Sequence, residues 1–177
     1  MSAVTLPPGH SMWTRDLADA VLPDDVIWRE VLEGELIVPN APAIRHQALV
    51  MHLAEQLLLA RPPGWHVLGS PVDVVFAWGD VAQPDLVVCS PDGLDLDAGP
   101  TEPPALLVEV LSPSTRRHDL VVKRRLYERH GVPAYLIAEV GTSLTLVEHH
   151  EEGRLVETQT GPAVTLSAPF PVTLTIG

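Results

Sequence analysis

Lys123 is the only lysine in a chain of 177 residues that carries ten arginines. It stands in Asp119-Leu-Val-Val-Lys-Arg-Arg-Leu-Tyr-Glu-Arg-His130. There Leu120, Lys123, Leu126 and Tyr127 fall at i, i+3, i+6 and i+7 and share one face of an amphipathic helix. The ammonium therefore points inward with apolar residues, and Arg124, Arg125 and Arg129 lie toward the other side. A lysine so placed either pads the core with its stem or meets a carboxylate, a phosphate or a metal-bound water. Glu109 interrupts the apolar run Ala105 to Leu111, where an unpaired carboxylate costs several kcal/mol. Asp85 follows Pro84 at the start of another short apolar stretch. Two carboxylates with water and a phosphate oxygen form a usual magnesium site, and a nearby lysine can orient water and steady charge on phosphate. The alternative is structural: Asp85 caps a turn, and Glu109 pairs with an arginine or with Lys123.

The elements that must position these groups alternate between strands and helices. Met12 to Ala20 reads as a short helix. Trp28 to Leu32 and Glu35 to Val38 read as strands around Glu33-Gly34. Ala43 to Ala60 is the longest helix, with His46, Leu49, Val50, Leu53, Leu57 and Ala60 on one face and Arg61-Pro62-Pro63-Gly64 as its stop. Strands follow at Trp65–Leu68, Val72–Phe76 and Asp85–Cys89. Ser90 to Pro104 is a loop rich in Asp, Gly and Pro. Ala105 to Leu111 has the near-continuous apolar character of a central buried strand. Ser112-Pro113-Ser114-Thr115 ends it, the Lys123 helix follows, and Ala134 to Ala138 is the next strand. That order implies a parallel crossover. Leu144–Glu148, Leu155–Thr158 and Val172–Ile176 complete a β-rich end. The fold class is α/β with a mixed sheet, in one domain spanning 1–177.

The ordered segments Gln83-Pro84-Asp85-Leu86-Val87-Val88, Leu107-Val108-Glu109-Val110-Leu111-Ser112-Pro113-Ser114-Thr115 and Asp119-x-x-x-Lys123-x-x-x-Tyr127-x-x-x-Gly131-Val132-Pro133-x-Tyr135 resemble the Uma family. These are bacterial restriction-endonuclease-like proteins of the PD-(D/E)xK nuclease superfamily. The resemblance extends upstream through Glu30-Val-Leu-Glu-Gly-Glu35-Leu, Pro39 and His46-Gln47, and covers roughly Trp28 to Ala138. It implies a restriction-endonuclease-like mixed β-sheet flanked by helices, with extra strands at the N- and C-terminal ends. It implies catalytic Asp85, Glu109 and Lys123, with Mg²⁺ or Mn²⁺ held by Asp85, Glu109 and an N-terminal glutamate, for which Glu35 is chosen over Glu30 and Glu33. Two residues after Glu109 stands Leu111, not lysine; the family displaces that lysine onto the following helix, where Lys123 stands. The implied activity is metal-dependent endonucleolytic hydrolysis of DNA by a homodimer. The rivals are a non-catalytic nucleic-acid-binding or assembly module on the same fold, and hydrolysis of another phosphoester such as RNA or a nucleotide.

His46 heads the apolar helix face, as a core residue or a substrate contact. Gln83 is a candidate contact for substrate or metal water, and Tyr127 for core or substrate. Arg116, Arg117, Arg124, Arg125 and Arg129 form the one dense basic cluster, either a phosphate-binding strip or a solvated face. Asp119 reads as a helix cap. His149-His150 would point to opposite faces of a strand and so make no metal site. The formal net charge of −12 weighs against broad nucleic-acid binding. Cys89, the one cysteine, excludes an intrachain disulfide. No apolar run reaches the ~20 residues of a membrane helix and the N-terminus lacks signal-peptide features, so a cytoplasmic location is expected.

Overall fold

The computed structural model describes residues 4–23, 26, 28–112, 116, 118–149 and 153–177. Its helices are α1 (Arg15–Val21), α2 (Ile44–Ala60) and α3 (Arg124–Arg129). Its strands are β1 (Glu30–Leu32), β2 (Glu35–Ile37), β3 (His66–Gly69), β4 (Val74–Val75), β5 (Val81–Ala82), β6 (Leu86–Cys89), β7 (Leu94–Asp95), β8 (Gly99–Pro100), β9 (Leu106–Val110), β10 (Ala134–Glu139), β11 (Ser143–His149), β12 (Leu155–Gly161), β13 (Ala163–Leu166) and β14 (Val172–Thr175). Six strands form the main sheet in the order β12-β11-β10-β9-β6-β3. Only β9 and β10 in it run parallel, joined by the crossover that carries Lys123. β9 is buried along its whole length, as its apolar composition requires between two covered faces.

Alternation along β9 divides the core. Leu106, Val108 and Val110 pack with the inner face of α2 and with Val164, Leu166 and Leu174 of the last hairpin. Leu107 shares the opposite side with Leu126, Tyr127, Tyr135, Phe76 and Leu32. Glu109 has the parity of Leu107, so it faces α3 rather than α2. The inner face of α2 is His46, Leu49, Val50, Leu53, Ala54 and Leu57, all buried, matching its sequence period.

A second sheet, β2-β1-β5-β4, covers the α3 side. β1 and β2 pair through the turn Glu33-Gly34, whose two residues both have positive φ (52° and 79°). Two such residues in sequence give the tight primed turn that matches strand twist. The pairing sets Glu30 opposite Ile37.

The structure departs from the sequence reading in three elements. The loop before β9 contains the small hairpin β7–β8, closed by Asp95 Oδ1, which accepts from the N–H groups of Asp97 and Ala98 at 2.8 and 2.9 Å. β13 pairs with β14 where no strand was expected. The lysine segment opens as a π-helical stretch, His118–Lys123, before tightening into α3. Short π segments concentrate at functional sites. This one buries Asp119, expected as a helix cap, to 2% exposure.

Candidate active site

Lys123 is 3% exposed, and its Nζ is surrounded by acids. Glu109 Oε1 and Glu30 Oε1 each stand 2.8 Å away, and Asp119 Oδ1 stands at 3.4 Å. Glu109 comes from the central strand, Glu30 from β1, and Asp119 from the π segment four residues before the lysine. Tyr127 lies one turn further on and donates its hydroxyl to Glu109 Oε1 at 2.9 Å. The main-chain N–H of Gln83 donates to Glu30 Oε1 at 2.7 Å. Tyr135 fixes the π segment by donating to the Asp119 carbonyl at 2.8 Å.

Asp85 sits at the head of β6. The antiparallel register sets Leu86 opposite Val108, so one step further Asp85 stands across from Glu109. Its Oδ2 accepts from the Val110 N–H at 2.7 Å, which stands in for a ladder bond at the strand end. The same oxygen is 3.3 Å from His46 Nε2, so the head of α2 braces Asp85 from the other face of the sheet. His46 Nδ1 is buried without a protein partner among the described residues.

The electrostatics follow from counting charges in a dry place. Burial pushes the Glu109 carboxyl well above its ordinary range; Lys123 opposes the rise, and Asp119, Asp85 and Glu30 add to it. Burial works against the Lys123 ammonium, but Glu109 and Glu30 overcome it and hold the amine charged, well above its ordinary range. Burial likewise works against the His46 imidazolium, and Asp85 overcomes it to raise that group.

Among the described residues Glu30, Glu109 and Asp85 share one lysine and one histidine, so the described part of the cluster holds more acids than cations. Glu109 Oε2 and Asp85 Oδ1 each remain without a protein donor among the described residues. Two free oxygens from facing acids are the hard donors that Mg²⁺ or Mn²⁺ takes, and magnesium needs only one or two carboxylates beside water and phosphate. Among the described residues no group of three or more His, Cys, Asp and Glu side chains is arranged to hold an ion. The residues therefore fit a two-carboxylate site completed by water and substrate.

The other candidates fall in different places. Glu35 is exposed on β2; Glu30, kept as an alternative to it, is the N-terminal acid that meets the lysine. Gln83 commits its side chain elsewhere, donating to Asp73 Oδ1 at 2.7 Å and accepting from the Arg29 N–H at 3.0 Å. Tyr127 is fully buried and touches Glu109. Arg116 is half exposed and bonded to Glu139 at 2.7 Å. Arg117 lies outside the described residues, as do the 113–115 break and most of the 149–152 turn. Arg124, Arg125 and Arg129 pair with Glu157, Glu33 and Asp80, so the described part of the basic strip is internally neutralised. Asp119 was missed as a partner of the lysine. Its signal in the sequence was the i, i+4 spacing to Lys123.

The mixed sheet, its flanking helices and the acids gathered about its inner strands β6 and β9 define a restriction-endonuclease-like α/β protein. The chain belongs to the Uma2 family, described as "Putative restriction endonuclease", whose pattern matches residues 22–177. Among solved structures it is similar to "a putative nuclease belonging to DUF820 from Anabaena variabilis". That likeness has a TM-score of 0.67 and 15% sequence identity, covering 85% of this chain and 87% of the other. At that identity the likeness shows the shared fold. Among curated proteins, none matches.

Proposed function

We propose that this chain is a metal-dependent endonuclease that hydrolyses phosphodiester bonds of DNA at the Asp85–Glu109–Lys123 cluster. The observation that carries the reading is the buried ammonium of Lys123 held at 2.8 Å by Glu109 and Glu30, with Asp85 facing Glu109 across the β6–β9 register. Asp85 Oδ1 and Glu109 Oε2 would hold Mg²⁺ or Mn²⁺. The ion, when bound, supplies Lewis acidity toward the phosphate and its attacking water. Lys123 fixes the rotamer of Glu109 through Oε1 and presents a positive charge where negative charge develops on phosphate. It acts as a charged donor rather than a base, because its acidic neighbours keep it protonated. Tyr127 and His46 brace Glu109 and Asp85, and the apolar faces around β9 exclude bulk water. We further propose that the chain works as a homodimer; support comes from the outer face of α2, where Ile44 and Met51 are 91% and 65% exposed.

Metal titration followed by thermal denaturation tests the reading. Mn²⁺ should raise the melting temperature of the native chain and leave that of Asp85→Asn unchanged, since the amide keeps the acceptor for Val110 N–H but loses the charge. An equal shift in both proteins would remove the metal from Asp85. A non-catalytic binding module is favoured by one observation, the pairing of Arg116, Arg124, Arg125 and Arg129 with acids. It predicts no response to metal in either protein.

A further inference from the structure

Trp78 is 80% exposed and holds φ at +64°, a conformation that bulky residues rarely adopt and that recurs at ligand clamps. The loop beneath it is firmly anchored. Phe76 N–H donates to the Asp80 carbonyl at 2.8 Å. The buried Asp80 carboxylate accepts from Glu33 N–H at 2.6 Å and from Arg129 Nη2 at 2.9 Å. Exposure of the indole is thus a property of a pinned turn, not of a loose one.

The ring is also connected to the acid cluster. Trp78 lies 5.3 Å from the His130 ring, His130 stacks on Phe76 at 4.9 Å and 29°, and Phe76 lies 5.9 Å from Tyr127. Tyr127 in turn bonds Glu109. The Arg129 guanidinium sits 5.5 Å from the indole centroid. Arg125, one turn back, is well exposed and reaches Glu33 only at 3.5 Å. His130 Nε2 has no protein partner among the described residues. His130 and Phe76 line a cavity of about 200 Å³ that Thr101, Glu102, Pro103 and Pro104 close from the other side.

We propose that Trp78 is the stacking platform for an unpaired base of the polynucleotide. The proposal rests on the nuclease reading above and names its substrate more closely, as a strand with at least one base out of a duplex. An exposed indole offers a flat π-face, and base stacking on aromatic rings is tolerant of sequence. A base inside a duplex has no face to give it. Arg129 is the cation beside the indole, 5.5 Å from its centroid, and Arg125, paired with Glu33 at 3.5 Å, lies one turn back.

Binding is measured in a Glu109→Gln background, so that cleavage does not interfere, by fluorescence anisotropy of a labelled single strand and of its duplex. DNA and RNA of the same sequence are compared to distinguish the two sources of base. Trp78→Ala should weaken single-strand binding about tenfold without altering the duplex, and Trp78→Phe should retain most of the affinity. Circular dichroism confirms the fold of each variant. Unchanged single-strand binding by Trp78→Ala overturns the proposal. So does light scattering that shows Trp78→Ala dissociating an assembly, which would make the ring a protein contact. Trp78-dependent binding without metal-dependent cleavage by the native chain would sink the nuclease reading and leave the platform standing.

Discussion

Glu109 sets the balance between stability and chemistry at the scale of single residues. Burial, and then the other acids around it, lift its carboxyl above the ordinary 4.5 despite Lys123. The folded chain therefore keeps a proton that the unfolded chain releases above pH 4.5, so this group makes stability fall as pH climbs from 4.5 toward the folded-state value. Glu109→Gln removes that slope while keeping an acceptor for Lys123 and Tyr127. In metal-free buffer the variant should melt a few degrees above the native chain at pH 8, and the gap should close as pH drops toward 4.5. A native chain that melts higher at pH 8 would contradict this charge balance. Lys123 and Glu109 were legible in the sequence because each breaks a local rule: the one lysine on an apolar helix face and the one acid in an apolar strand. Glu30 was harder to choose among three neighbouring glutamates. Its position depends on pairing through the β1–β2 turn and on a main-chain N–H of Gln83, which lies 53 residues away in the chain.

Among elements, β9 and α2 were readable because their patterns are long: a continuous apolar run and a full amphipathic period. β7, β8 and β13 were not, since two to four residues give no period to detect and their pairing is decided by tertiary contact. The π winding before α3 was also hidden. Its place at the start of the segment made Asp119 read as a helix cap, whereas the structure buries it against Lys123, four residues on. The C-terminal hairpin is tied to α2 by one side chain acting as a strand. Gln56 accepts from Thr175 N–H at 2.9 Å and donates to its carbonyl at 3.1 Å. Gln56→Ala should cost about 1–3 kcal/mol in urea denaturation and speed proteolysis near the C-terminal end. An unchanged midpoint would show that apolar packing of Val164, Leu166 and Leu174 alone holds the hairpin.

Over the whole molecule, the −12 charge and the acid-paired arginines limit affinity for a polyanion. On the proposed reading, metal at the cluster and stacking at Trp78 would be the main sources of attraction. No helix among the described residues is long and apolar enough to cross a membrane. The outer face of α2 exposes Ile44, Met51, Leu58 and Leu59, and spacing by seven places the first three on one stripe. Antiparallel pairing of two copies about Met51 would cover it. Light scattering should show a dimer that Met51→Glu converts to a monomer; a monomeric native chain at high concentration would refute the assembly.

Cleavage of labelled DNA, single-stranded and duplex, by the native chain and by Glu109→Gln in Mg²⁺ or Mn²⁺ tests the central claim most directly. Metal-dependent cutting by the native chain, absent in EDTA and reduced to background in the folded variant, is the predicted result. Cutting that persists in EDTA, or that the variant performs at the native rate, would show that the acids around Lys123 are not the centre of the chemistry.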